Sequence, residues 1–245
     1  MGFSLFARSD KGTPQGGPLS PLLANIYLNE LDKELTRRGH HFVRYANDCN
    51  IYVKSQQAGE RVMRSITHFL EKKLKVKVNP DKTKVGSPLR LKFLGFSLGV
   101  DRNGAYARPA NQSQQRVKQA LKLLTKRNRG VSLIKMFEEI HQKMRGWLQY
   151  YSIGKLANFI HRLDQWLRAR IRQYIWKQWK KFKTKVTNLQ KLGLSYRDAY
   201  VFASTRKGYW RTAHSKTLNY SLTNRKLEHL GLINLSKTLQ SIQSD

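Results

Sequence analysis

The chain has a single cysteine, Cys49, in 245 residues. That excludes an internal disulfide and any multi-cysteine zinc site. Acidic residues are scarce as well: 15 Asp and Glu face 47 Lys and Arg, a formal net charge of +32. Such an excess does not fit an enzyme of small metabolites. It calls for a polyanionic partner, with nucleic acid the leading class and a membrane surface the weaker one. No apolar run reaches the roughly 20 residues of a membrane span. Met1–Asp10 lacks the apolar core of a signal peptide. The chain therefore reads as intracellular and cytoplasmic, with no membrane contact expected.

The length suits one large domain or two small ones, enough to bury a core. Charge is unevenly spread. Residues 1–100 carry 17 Lys and Arg with 8 acids, whereas residues 101–245 carry 30 with 7. The N-terminal part can be an enzyme-like core with a basic face. The C-terminal part has the charge of a module built around phosphates.

The most informative stretch is His41–Val53. Phe42–Ala46 and Cys49–Val53 are rich in β-branched and aromatic residues and flank Asn47-Asp48. Asn and Asp close tight turns, so the pattern predicts a β-hairpin with a carboxylate at its tip. Taken alone, such a tip is an ordinary surface turn. Upstream, Gln15-Gly16-Gly17-Pro18 forces a loop with bare backbone. Ser20 then reads as an N-cap with Pro21 at the first helical position. The helix should run to about Arg38, with Leu22, Leu23, Ile26, Tyr27, Leu31 and Leu35 on one face and Gly39 ending it. A Gly-Gly loop entering a helix can hold an anion, or be only a loop.

After the hairpin, periodicity predicts a helix over about 57–74, a half-buried strand at Lys75–Val78, a turn at Asn79–Lys84 and a strand at Leu91–Leu98. This order implies an antiparallel sheet with helices on one face. The rest of the chain is helical in pattern. Helices are expected at Ser113–Arg127, from Ser132 to about Arg145, from Leu156 to about Lys183, at Ser195–Ala203 and at Leu218–Leu230. On the longest of these, Arg162, Arg168, Arg170, Arg172, Lys177, Lys180, Lys181 and Lys183 are interleaved with Trp166, Trp176 and Trp179. Such a face can be merely solvated. But only Asp164 offsets it, and arginine suits bidentate phosphate contacts, which favours RNA. Arg206, Lys207 and Arg211 are further candidate phosphate contacts.

In order and spacing, Gln15-Gly16-Gly17-Pro18-Leu19-Ser20-Pro21, Tyr45-Ala46-Asn47-Asp48, Asn79 with Lys82-Thr83, and Leu94-Gly95-Phe96 resemble the palm of a reverse transcriptase of the kind encoded by group II introns. The resemblance continues through residues 101–245 as the thumb and maturase-specific region. It implies an α+β fold: a partial palm, an antiparallel sheet with helices, over residues 1–105, then an all-α thumb and maturase region over 106–185 and a C-terminal maturase segment over 186–245. Only the C-terminal part of the family's protein would be present.

By the same resemblance, Tyr45, Ala46, Asn47 and Asp48 occupy the catalytic hairpin. Gln15, Gly16, Gly17 and Lys82 lie near nucleotide and template, although Lys82 also reads as a plain turn lysine. The family's tip is Tyr-Ala-Asp-Asp, and its carboxylates hold Mg²⁺. Here Asn47 keeps an oxygen but loses the charge, leaving Asp48 as a weak metal ligand. The family's upstream partner Asp has no counterpart in an apolar strand, since the acids before the hairpin are Asp10, Glu30, Asp32 and Glu34. Mg²⁺ is thus expected only if some polymerase activity remains.

Three readings follow. The chain binds intron RNA and assists splicing with polymerase activity lost. Or it is an active RNA-directed DNA polymerase in intron mobility, completed by a separate N-terminal fragment and acting on a DNA target. Or it is a remnant.

Overall fold

The computed structural model describes residues 18–244, which divide into two compact units with the boundary between Phe93 and Leu94.

In the first unit, helix α1 (Ser20–Arg37) leads into strands β1 (His41–Tyr45) and β2 (Asp48–Tyr52), and helix α2 (Gln56–Lys72) follows. Gly39 stops α1 as expected. Its positive φ of 70° lets its own N–H donate to Thr36 O and the His40 N–H to Leu35 O, which satisfies two carbonyls at the helix end. The start differs from expectation. Leu19, not Ser20, occupies the cap position, and no side chain caps it. Leu31 and Leu35 of α1 pack with Ile66 and Phe69 of α2 and with Leu74 into a small core, closed by Phe42, Cys49 and Ile51 of the hairpin. Leu22, Leu23, Ile26 and Tyr27, expected on the same buried face, are exposed, so only the C-terminal half of α1 meets this core.

Two strand expectations fail. Lys75–Val78 shows the alternating burial of a half-buried strand, but it has no pairing partner among the described residues and forms no ladder. The strand expected at Leu91–Leu98 begins only at Phe96: β3 (Phe96–Asp101) pairs antiparallel with β4 (Gly104–Pro109). The described strands thus form two separate two-stranded ribbons, β1–β2 and β3–β4, rather than one sheet. Mixed α and β structure followed by a helical region nevertheless agrees with the expected fold class.

The second unit begins at Leu94-Gly95. Both residues have positive φ, 50° and 79°. A Cβ on Gly95 would lie 2.4 Å from the Tyr151 hydroxyl oxygen, so this position has no room for a side chain. Ala110 N–H and Ser113 Oγ donate to Gly95 O, and Tyr150 Oη donates to Leu94 O. Phe96 stacks on Tyr151 with ring centroids 4.9 Å apart. The Leu94-Gly95-Phe96 motif is here an anchor that ties the ribbon to the helices.

Helices α3 (Asn111–Leu124), α4 (Leu133–Tyr151) and α5 (Ala157–Gln178) build the main core with α6 (Phe182–Lys191) and α7 (Tyr196–Ala203). Ser132 and Ser195 cap α4 and α7 by accepting the Lys135 and Asp198 N–H groups. Helix α4 runs past its expected end near Arg145 and takes in Gly146–Tyr151. Trp147, Tyr151 and Phe159 pack there as a cluster. The expected closing helix at Leu218–Leu230 is broken in two. After α8 (Tyr209–Ala213) come α9 (Lys216–Ser221) and α10 (Asn224–His229), then α11 (Leu235–Ser244). Ser215 and Thr223 each accept an N–H from three residues on and start α9 and α10.

Helix α5 is the centre of the unit. Ile160, Leu163, Leu167, Ile171, Tyr174, Ile175 and Trp176 are all buried on it. A helix surrounded on most sides has little surface to offer, and that decides the fate of its arginines.

Candidate nucleic-acid interface

The hairpin tip is one residue out of the expected phase. Tyr45 pairs with Asp48, so Ala46 and Asn47 form the two-residue turn and Asp48 opens β2. Of the turn residues Ala46 alone has positive φ, 51°. Asn47 and Asp48 are exposed. The nearest candidate for a second carboxylate is Asp32, which leaves the polar face expected for it and turns towards the hairpin. It is already held: Arg44 Nε and Nη2 donate to its two oxygens at 2.7 and 2.5 Å. The same guanidinium donates to Asn25 Oδ1 and Ala46 O, so the clasp also braces the turn. Glu30 and Glu34 are paired on the helix surface with Lys33 and with Arg37 and Arg38.

Reverse transcriptases work with divalent metal ions held by converging carboxylates. Among the described residues no three His, Cys, Asp or Glu side chains gather to hold one. Of the two carboxylates at the described part of the tip, Asp48 is exposed and Asp32 is held by Arg44. Asp10, Gln15, Gly16 and Gly17 lie outside the described residues. Lys82 sits in an exposed turn closed by its N–H to Asn79 O. Beneath the hairpin, burial, with Asp32 adding to it, pushes the Cys49 thiol up to about 11.

The basic residues of the second unit separate into two sets. Arg168 and Arg172, expected to face phosphates, are buried, 2% and 7% exposed. Arg168 donates to Asp164 Oδ2 at 2.7 Å, to Asn224 O and to Glu228 Oε1. Arg172 donates to Leu222 O at 2.9 Å and Asn224 Oδ1 at 3.0 Å. These bonds fasten α5 to α10 and to the break before it. Arg172 has no carboxylate partner in these bonds, and burial, then the charge of Arg168, pulls its pKa down. Arg170 is also engaged, donating to Thr125 Oγ1 and to the carbonyls of Lys122 and Thr125 at the end of α3. These three arginines hold the fold together. The reason is packing: the stripe 164–168–172 recurs every four residues on a helix enclosed by its neighbours.

Arg162, Lys180, Lys181, Arg206, Lys207 and Arg211 are exposed. Lys177 is half-buried, its ammonium 5.3 Å from the Tyr209 ring centre. Arg162 belongs to an open groove of about 820 Å³ between α5 and the α8–α10 segment. Its rim includes His161, Arg162, His214, Asn219 and Arg225, and Arg168 and Arg172 lie in its wall. Asp164 is the single acid lining it, and Arg168 already holds one of its oxygens. The groove is a cationic cleft with amide and imidazole donors, suited to a phosphate chain. His161, His214, Asn219 and Arg225 were not legible as one site. The one hint was Thr223-Asn224, a cap signature inside the expected closing helix, where the break that shapes the groove occurs.

The described residues thus combine a hairpin set between two helices with a strongly basic helical unit. Residues 6–98 match the reverse transcriptase (RNA-dependent DNA polymerase) family, and residues 114–193 match the group II intron maturase-specific domain. The group II intron-encoded protein LtrA of Lactococcus lactis subsp. cremoris is 26% identical, the match covering 49% of this chain and 31% of LtrA. Protein YkfC of Escherichia coli K12 is 32% identical over 33% of this chain and 30% of its own length. The two domain matches and the likeness to LtrA together support a group II intron-encoded reverse transcriptase/maturase. The chain spans about a third of the length of these relatives. Among the described residues no helix is long and apolar enough to cross a membrane.

Proposed function

We propose that the chain binds structured group II intron RNA through its second unit and assists the folding and splicing of that RNA, and that its hairpin does not by itself polymerise DNA. The observation that carries the first part is the cationic groove with Arg162 and Arg225 on its rim, in a segment where one acid, Asp198, faces sixteen Lys and Arg between residues 165 and 227. Shape and phosphate contacts would dominate recognition, as they do for folded RNA. Support for the second part comes from Asn47 at the tip and from the Arg44 clasp on Asp32. A metal site needs free negative charge, and both arrangements remove it.

The test is binding of the full chain to a folded group II intron RNA across a salt series. R162A/R225A should weaken binding and lower the salt slope by about one per lost phosphate contact. Unchanged affinity and slope overturn the assignment of the groove. For the hairpin, a primed RNA template with dNTPs and Mg²⁺ should show no extension above a D48A control, and N47D should not restore it. Extension by the unaltered chain would refute this part and favour the polymerase reading, with a separate N-terminal fragment and a DNA target as its partners.

A further inference from the structure

Outside the groove, α6 and α7 present another feature. Phe182, Tyr200 and Tyr196 are 41%, 49% and 63% exposed. They nonetheless touch one another: the Phe182 and Tyr200 rings are 5.0 Å apart edge-on, and Tyr200 and Tyr196 are 6.1 Å apart. Tyr196 and Tyr200 sit four residues apart on α7, so the helix holds both on one face. Val201 beside them is 68% exposed. Surface helices normally place polar side chains outward, and a contiguous apolar patch marks a binding surface.

The setting identifies the partner. Lys180, Lys181 and Lys183 flank Phe182, and Arg197 follows Tyr196, all of them exposed. The only acid in the segment, Asp198, accepts the Ser195 hydroxyl at 2.7 Å in the first turn of its own helix. Flat aromatic faces among cations match a strand that carries flat bases on a phosphate chain. An acidic peptide would satisfy the lysines but does not bring an aromatic ring with each of its charges, as a nucleotide strand does. A duplex would hide its base faces. The aromatics behind the ladder differ in kind, since Trp176 and Phe202 stack inward, 5.3 Å apart, as core.

We infer that Phe182, Tyr200 and Tyr196 form a stacking platform for unpaired RNA bases, so that the second unit takes a single-stranded segment in addition to structured backbone. This rests on the RNA-binding function proposed above and deepens it by assigning a site for a loop or strand end.

The test compares two probes on the full chain: a fluorescent oligouridine strand of about a dozen nucleotides and an RNA duplex of the same length. Y196A/Y200A should lose roughly tenfold or more in affinity for the single strand, the range of one or two lost base stacks, and change less than threefold on the duplex. Y196F/Y200F keeps the rings and should bind the single strand as the parent does. Thermal melts of both variants check that the fold persists. Photo-crosslinking with iodouridine in the strand should label Tyr196 or Tyr200. Equal losses on both probes, or no loss on the single strand, overturn the platform. A parent chain that binds neither probe overturns the platform, and one that also fails to bind folded group II intron RNA overturns the RNA-binding function itself, so the two failures are distinguishable.

Discussion

Arg44 in the first unit and Arg168 in the second each hold an aspartate, yet the two pairs serve opposite ends. Arg44 closes on both oxygens of Asp32 beside the hairpin tip, where a polymerase would need free carboxylate. Arg168 holds Asp164 from inside the bundle, where the pair with Glu228 fastens α5 to α10. In the first unit a cation pairs with the carboxylate beside the tip. In the second, the buried arginines leave the groove with more cation than it can pair. The same chemistry thus occupies a carboxylate in one unit and builds the wall of the groove in the other.

The strongest way to break this comparison is R168A. It would leave Asp164 buried without its cation and Glu228 short of one donor. Breaking one partner of a buried pair costs about 3–5 kcal/mol. Denaturant melts of the second unit should show that loss, whereas R162A, on the exposed rim, should fall within about 0.5 kcal/mol of the parent while weakening RNA binding. If both variants lose affinity and neither loses stability, Arg168 is a ligand-facing residue after all.

That division between structural and exposed arginines was not legible in the sequence. Asp164, Arg168 and Arg172 show i,i+4 spacing, but spacing does not say whether neighbouring helices enclose that stripe. The hairpin was legible because β-branched and aromatic residues flank a turn pair. Its phase was not, because the residue with positive φ is Ala46, a type that no turn rule flags. Lys75–Val78 had the right alternation and lacked a partner strand. The cap at Ser132 was read correctly, the one expected at Ser20 falls on Leu19 instead, and the cap at Thr223 was missed inside a periodic run.

The next effect concerns Gly95. G95A adds a Cβ 2.4 Å from the Tyr151 hydroxyl oxygen at a residue with positive φ. Overpacking and backbone strain together should cost about 2–4 kcal/mol in the second unit. G104A also has positive φ, 106°, but open space, so it reads the backbone cost without the clash. A loss no larger than that of G104A would remove Tyr151 from the explanation.

Cys49 tests whether the hairpin is closed over its core. With its thiol near 11 rather than its usual 9, at pH 8 it holds about a hundredfold less thiolate than a free cysteine. Alkylation should be slower by at least that factor and should reach the ordinary rate in denaturant. As pH rises from about 9 towards 11, the folded state resists ionisation that the unfolded chain accepts, so the stability tied to a neutral Cys49 falls over that window. Fast labelling at pH 8 would mean that the hairpin opens readily.

The smallest effect lies at the tip itself. Ala46 takes a left-handed φ of 51°, which costs an L-residue about 1–2 kcal/mol relative to relaxed backbone. Glycine removes that strain but loses more entropy on folding, about 0.5–1 kcal/mol. A46G should therefore stabilise the first unit by no more than about 1 kcal/mol. The Arg44 guanidinium accounts for the tolerance of alanine: it donates to Ala46 O while it clasps Asp32, and so holds the turn closed from outside. In an R44M background the turn loses that brace, and the gain from A46G should shrink because the alanine turn is free to relax. If the gain is the same in both backgrounds, the clasp does not support the turn, and its one remaining role is to occupy Asp32.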